Sequence, residues 1–273
     1  MSAKDKVRIG CSGWSYKDWS GAFYPRELAA GEYLKFYSRF FDCVEIDSSF
    51  YRIPSPFMIE QWKRNTPDGF LFAPKLPKKI THDNKLENFE GTLAYFYGIV
   101  NKLGDKLGPI VAQLPPSIKV EKHEKLMKEF VSALDPKFKH AIEFRHKSWF
   151  NPATYKLLEK NNVAMAWSLN QYLETPPEVT APFAYLRLVG DRDITEFTGI
   201  QKDKSEDMKR WAERMEMKSD SFDTGFVFFN NHFAGFGPES ANEFRRLLGM
   251  MESDWKQPPQ AGQGQRQQSL AEF

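Results

Sequence analysis

The feature that most constrains this 273-residue chain is a rhythm. Eight short apolar runs recur along it: VRIGCSG (7–13), CVEIDSS (43–49), FLFAPKL (70–76), PIVAQLP (109–115), HAIEFRH (140–146), VAMAWSL (163–169), AYLRLVG (184–190) and FVFFNNH (226–232). Each is rich in β-branched or aromatic residues and bounded by Gly, Pro, Asn or Asp, the signature of a strand. Amphipathic stretches at 31–41, 55–65, 93–107, 124–134, 153–161, 206–217 and 240–251 fall between or after them and read as helices. Ser55 with Pro56 predicts one helix start, and Ser240 with Glu243 predicts a capping box at another. Strand and helix alternating eight times predict an α/β fold, a single (β/α)8 TIM-type barrel. The unit between the sixth and seventh strands is irregular: QYLETPPEVTAP (171–182) holds three prolines and no room for a full helix. A doubly wound open sheet is the alternative, but GCSG (10–13) lacks the G-x-G-x-x-G spacing of its phosphate turn.

The barrel is expected over residues 7–254, after a flexible N-terminus at 1–6. From Trp255 the chain is rich in Gln, Gly and Pro, so 255–273 is expected to be a flexible low-complexity tail. The formal net charge of +2 gives no general reason to expect nucleic acid or an anionic membrane as partner. No apolar run approaches the roughly 20 residues that span a bilayer. MSAKDK at the start has no apolar core of a signal peptide. Two cysteines make no disulfide framework, and alternation puts Cys11 and Cys43 on opposite sheet faces. A reduced, cytoplasmic protein is the expectation.

Period two assigns each strand residue to a face. Val44 and Ile46 point outward, so Glu45 and Asp47 point inward; Ile142 and Phe144 point outward, so Glu143 and Arg145 point inward. Leu186 and Leu188 outward leave Tyr185 and Arg187 inward, and the same reading turns Ser12, Lys75, Gln113, Ser168, Asn170 and Asn230 inward. These polar groups collect near the strand C-termini, where barrel enzymes build their sites. Glu45, Asp47 and Glu143 there face Lys75, Arg145 and Arg187. One reading is a self-neutralising salt-bridge network. The functional reading is a grip on an anionic or strongly polar ligand by the cations, with Glu143 first and Glu45 second as general acid or base and Lys75 as anchor.

His82, His146 and His232 each follow a strand, so with Glu143 they are the candidate ligands should a divalent metal be bound; no cofactor is otherwise expected. Aromatic residues make up 15% of the chain, and Trp14, Tyr16, Trp19, Phe23 and Tyr24 crowd the first loop, with Tyr51, Trp149, Phe150, Phe197, Phe233 and Phe236 after other strands. Such rings pack on one another as a lid or stack on a sugar or nucleobase. Gly235 and Gly237 before the last helix offer a weak phosphate signal, opposed by Glu239. Three function classes follow: a hydrolase, lyase or isomerase acting on a sugar derivative or nucleotide fragment; a metal-dependent phosphodiesterase or nuclease; and a binding protein without chemistry.

The stretches IGCSGWSYKDW, GAFYP, VEIDSSFYRIPS, FLFAPKLPKKITH, AQLPPS, EFRHKSW, YLRLVG and VFFNNHFAG resemble, in order, the YecE-like family, a domain of unknown function. The resemblance implies a TIM-barrel-type fold and carries over Glu45, Lys75, His82, Gln113, Glu143, Arg145, His146, Trp149, Arg187, Asn230 and Asn231 as family-pattern residues; it implies no reaction. Two positions depart from the pattern: Asp47 stands where relatives usually have Asn, and Val189 where they commonly have His. The ligand-binding set expected here is Ser12, Trp14, Asp47, Tyr51, Gln113, Arg145, His146, Trp149, Arg187, Asn230 and Asn231.

Overall fold

The computed structural model describes residues 2–256. Nine strands are β1 (Val7–Ser12), β2 (Cys43–Ile46), β3 (Leu71–Pro74), β4 (Ile110–Gln113), β5 (His140–Glu143), β6 (Val163–Met165), β7 (Trp167–Asn170), β8 (Phe183–Gly190) and β9 (Thr224–Phe229). They pair in parallel as a six-stranded sheet, β3-β2-β1-β9-β8-β7, and a three-stranded sheet, β4-β5-β6. The fold is therefore α/β with its strands in two parallel sheets, where one closed eight-stranded barrel is expected from the sequence.

The reason lies at two places. The sixth predicted strand breaks at Ala166, with β6 paired to β5 and β7 paired to β8. There the threonines of the irregular connection take bonds that a strand ladder would use. Thr180 Oγ1 accepts from Met165 N at 2.7 Å and donates to Val163 O at 2.7 Å, and Thr175 Oγ1 accepts from Ser168 N at 2.6 Å. The second place is the seam of β3 and β4, joined by two isolated bridges, Phe72 to Leu107 and Lys75 to Val111, with Leu76 N donating to Val111 O and Gly108 N to Phe72 O, each at 2.8 Å.

Among the described residues eight α-helices accompany the strands: α1 (Tyr33–Tyr37), α2 (Ser48–Tyr51), α3 (Pro56–Arg64), α4 (Glu90–Val100), α5 (Val120–Ala133), α6 (Pro152–Lys160), α7 (Ser205–Met217) and α8 (Gly237–Leu247). Ser55 caps α3 as expected, accepting from Met58 N. The capping box at Ser240 does not form. α8 begins at Gly237 with Pro238 in its first turn, so Ser240 is already inside and its hydroxyl donates to Phe236 O at 3.0 Å. The connection 171–182 carries no helix, as its prolines dictate.

Alternation fills three apolar layers. Val44, Ile46, Leu186, Leu188 and Val227 face the helices on the large sheet, and Ile110, Ile142, Val163 and Met165 do so on the small one. The opposite faces of both sheets meet in a third cluster that includes Cys43, Ala73, Val111, Ala141, Ala166, Tyr185 and Phe228. Cys11 and Cys43 are free, buried and in different layers. The phenol of Tyr37 splices β1 to β2, accepting from Cys11 N at 2.8 Å and donating to Cys43 O at 3.0 Å. Only glycine fits beside it, because a Cβ on Gly10 would stand 2.2 Å from Cys43 O and 2.9 Å from that hydroxyl.

At the N-terminus Ala3–Asp5 is a 3-10 turn, Ala3 is buried, and its N–H donates to Glu216 Oε2 on α7. At the other end Trp255 donates to Ala22 O, and the expected tail from 257 onward lies outside the described residues. No helix among the described residues is long and apolar enough to cross a membrane.

Candidate functional site

Arg187, on the inward face of β8, is the centre of the polar group. Its Nε and Nη2 donate to the two oxygens of Glu45 on β2, at 2.8 and 2.7 Å. Its Nη1 donates to Glu143 Oε2 on β5 and, at 3.1 Å, to Gln113 Oε1 on β4. Arg187, Glu45 and Glu143 are all buried, so four strands from both sheets end on one guanidinium. Glu45 also accepts from Ser12 Oγ of β1 at 2.8 Å and from the Tyr185 hydroxyl at 2.7 Å. Every carboxylate oxygen of Glu45 is thereby doubly bonded, which is what a buried ion requires.

Above this floor the groups become accessible. Lys75 Nζ donates to Gln113 Oε1 at 2.8 Å and lies 3.5 Å from Asp47 Oδ1, whose side chain is 28% exposed. Arg145 Nε stands 2.5 Å from Glu143 Oε1 without hydrogen-bond alignment, and both atoms lack a hydrogen-bond partner. The two terminal nitrogens of Arg145 make no hydrogen bond to any described residue, and its side chain is 17% exposed. Just after β2, α2 places Phe50. The Ser49 hydroxyl donates to Lys75 O and accepts from Lys75 N, locking the turn onto β3, and the Phe50 ring lies 4.5 Å from Lys75 Nζ.

Charge states follow from this geometry. Burial alone would raise the Glu143 carboxyl, but Arg145, Arg187 and Lys75 outweigh it and hold it down at about 2. A carboxylate held that low is a feeble proton acceptor near neutrality. Glu143 thus fits an anchor for the two arginines better than the acid or base expected of it. Burial pushes the Lys75 ammonium down, with Arg187 adding to the effect, while Asp47, Glu45 and Glu143 oppose it. Desolvation and the neighbouring carboxylates hold the Tyr185 phenol well above its ordinary value, so it stays a donor to Glu45.

Several expected residues lie elsewhere. Trp149 is buried against Phe144 in the outer layer, with Nε1 donating to Ile118 O. Trp14 packs edge-on against Trp62 at 5.5 Å on the helix side. Asn231 is buried with Oδ1 accepting from Trp19 Nε1 and Gly237 N, fixing the loop into α8; that amide is no longer free for phosphate. Tyr51 is 73% exposed on the solvent side of α2, and Phe50 takes the inward place. Asn230 caps its own turn, accepting from His232 N. The first-loop aromatics Trp19, Phe23 and Tyr24 are buried, and Tyr24 stacks on Tyr33 of α1 at 4.0 Å. Tyr16 is partly buried, its ring 4.9 Å from Trp19 and its hydroxyl donating to Ser12 O.

The histidines are set apart by their second atoms. His146 Nδ1 accepts from Ser148 N, so the neutral ring carries its proton on Nε2. His232 Nδ1 donates to Ile194 O. His82 Nδ1 is 2.8 Å from Thr81 Oγ1, and its ring meets Phe50 edge-on at 4.9 Å. No group of three or more His, Cys, Asp or Glu side chains among the described residues is arranged to hold a metal ion, so His82, His146, His232 and Glu143 are not gathered into one.

The model of the family described as "Protein of unknown function DUF72" matches residues 8–264. The chain belongs to the DUF72 family. Among DUF72 relatives, the UPF0759 protein YunF of Bacillus subtilis is 24% identical over 273 residues, covering 89% of this chain and 94% of its own. The UPF0759 protein YecE of Escherichia coli is 27% identical over 144 residues, about half of each chain. The crystal structure of a DUF72 family protein from Thermotoga maritima superposes with a TM-score of 0.78 at 26% identity, covering 89% of this chain and 99% of that one. One from Enterococcus faecalis superposes at 0.72 with 19% identity, covering 93% and 99%, a likeness of fold. The YecE-like resemblance is thereby shown, and no activity comes with it.

Proposed function

We propose that the strand C-termini form the active site of an enzyme, a hydrolase, lyase or isomerase acting on a small polar or anionic ring-bearing molecule such as a sugar derivative or nucleotide fragment. The observation that carries this reading is Arg145, paired through Nε with Glu143 while its terminal nitrogens make no hydrogen bond to any described residue, next to a fully buried Arg187–Glu45–Glu143 floor. A buried ion cluster brings little net stability compared with well-packed apolar residues. A floor of fixed charges beneath free donors is instead what binding and transition-state stabilisation demand. Lys75, desolvated and close to Asp47, is the group best suited to move a proton here, with Asp47 its accessible partner. Phe50 and Tyr16 supply apolar faces for a ring.

The same reading takes the two sheets as a TIM-type (β/α)8 ring. The Leu76–Val111 and Gly108–Phe72 hydrogen bonds bridge β3 to β4, Ala166 alone separates β6 from β7, and Ala166 N donates to Ile142 O at 2.9 Å. A shared inner apolar layer supports it. A cytoplasmic location fits the two free, buried thiols.

The test is a thermal-shift screen of sugar phosphates, sugar acids and nucleotides, repeated with Glu143→Gln and Arg145→Met. The reading expects a ligand that stabilises the parent protein and loses affinity in both variants. Binding and turnover unchanged in both would move the site elsewhere.

A further inference from the structure

Backbone strain is concentrated at one point beside this opening. After β3 the segment Lys79–Asp83 winds as a π-helix, a rare geometry that tends to mark functional sites. Three of the four non-glycine described residues with positive φ follow directly: Lys85 (49°), Leu86 (69°) and Asn88 (47°). Such conformations persist only where the surroundings over-determine them. Here Ile80, Thr81, Leu86 and Phe89 are all buried and pin the segment to the core. What the strained turn delivers is His82, half-buried with its ring edge-on to Phe50, the ring that also carries Lys75 Nζ. Burial and the positive charges of Lys75 and Arg145 lower the His82 imidazole, Lys78 adds to them, and Asp83 opposes. All but Asp83 of these influences favour the neutral ring.

We infer that Lys75, Arg145 and His82 form a phosphate subsite for the monoester group of the substrate, and that His82 takes up one solvent proton as the phosphate binds. The inference rests on the reading of the opening as a ligand site and narrows its ligand to a phosphate ester. Lys75 Nζ and the His82 ring both lie against Phe50, at 4.5 and 4.9 Å from its centroid. With Arg145 they offer three donating side chains, which suits the three oxygens of a phosphate better than the two of a carboxylate. A dianion placed among these groups reverses the field at His82, and the ring then protonates.

The experiment follows the His82 ring proton by NMR across pH in the full chain, alone and with inorganic phosphate, ribose 5-phosphate or acetate. Calorimetry in buffers of different ionisation heat counts protons. The expected result is a His82 pKa raised by at least about one unit, equivalent to tenfold tighter phosphate binding by the protonated form, with ribose 5-phosphate the tighter ligand and acetate without effect. His82→Gln should abolish the proton uptake and weaken phosphate about tenfold. An unmoved His82 titration at saturating phosphate, or phosphate that does not saturate, overturns the subsite. If ribose 5-phosphate binding depends on Arg145 and Glu143 but not on His82, the subsite falls and the ligand-site reading stands. If it depends on none of the three, both fall.

Discussion

Arg187 and Glu45 lie on strands from different parts of the chain, yet meet through two parallel hydrogen bonds, Nε to Oε2 at 2.8 Å and Nη2 to Oε1 at 2.7 Å. Both side chains are essentially inaccessible to solvent. Arg187→Met should therefore strip the buried Glu45 of its charged hydrogen-bond partner, leave Glu143 to Arg145 and Lys75, and cost about 3–5 kcal/mol, read by urea unfolding. Adding Glu45→Gln and Glu143→Gln to that variant should restore much of the loss. A single-variant cost below about 1 kcal/mol would mean that the cluster is hydrated in solution.

Glu143 makes acid stability a second test. Its folded-state value of about 2 lies below the ordinary carboxyl value of 4.5, so the unfolded chain binds the extra proton. Its contribution is full above pH 4.5 and drains away as pH falls toward 2. Glu143→Gln should flatten the stability curve in that window. An unchanged slope would contradict the assigned charge state.

Tyr37 offers a test away from the site. Tyr37→Phe strands both Cys11 N–H and Cys43 C=O in the core, and should cost about 2 kcal/mol. Faster amide exchange at Cys11 would accompany it. Normal stability would mean that the two strands close the gap themselves.

The strands and their faces were legible because both faces are buried, so alternation between Val44 outward and Glu45 inward is enforced by packing on each side. The inward ring of Ser12, Glu45, Gln113, Glu143, Tyr185 and Arg187 could be read the same way. Beyond the strand ends a two-residue period no longer sets side-chain direction. Tyr51 was expected at the opening, but a single turn of helix puts Phe50 there and Tyr51 in solvent. Trp149 and Asn231 follow strands too, yet turn into the packed layers. The break at Ala166 was invisible because its cause is two threonine hydroxyls from a later loop. The capping box failed since Ser-x-x-Glu also occurs inside helices, and Pro238 was the better start signal.

Lys75 Nζ divides itself between Gln113 Oε1 and Asp47 Oδ1, in a cluster where three cations already match three carboxylates. The opening is thus electroneutral before anything enters. A charged guest must then be exchanged rather than added: an anion either evicts Asp47 from Lys75 or brings a proton with it. Entry on those terms releases few counterions, so affinity at this site should vary little with salt and strongly with pH.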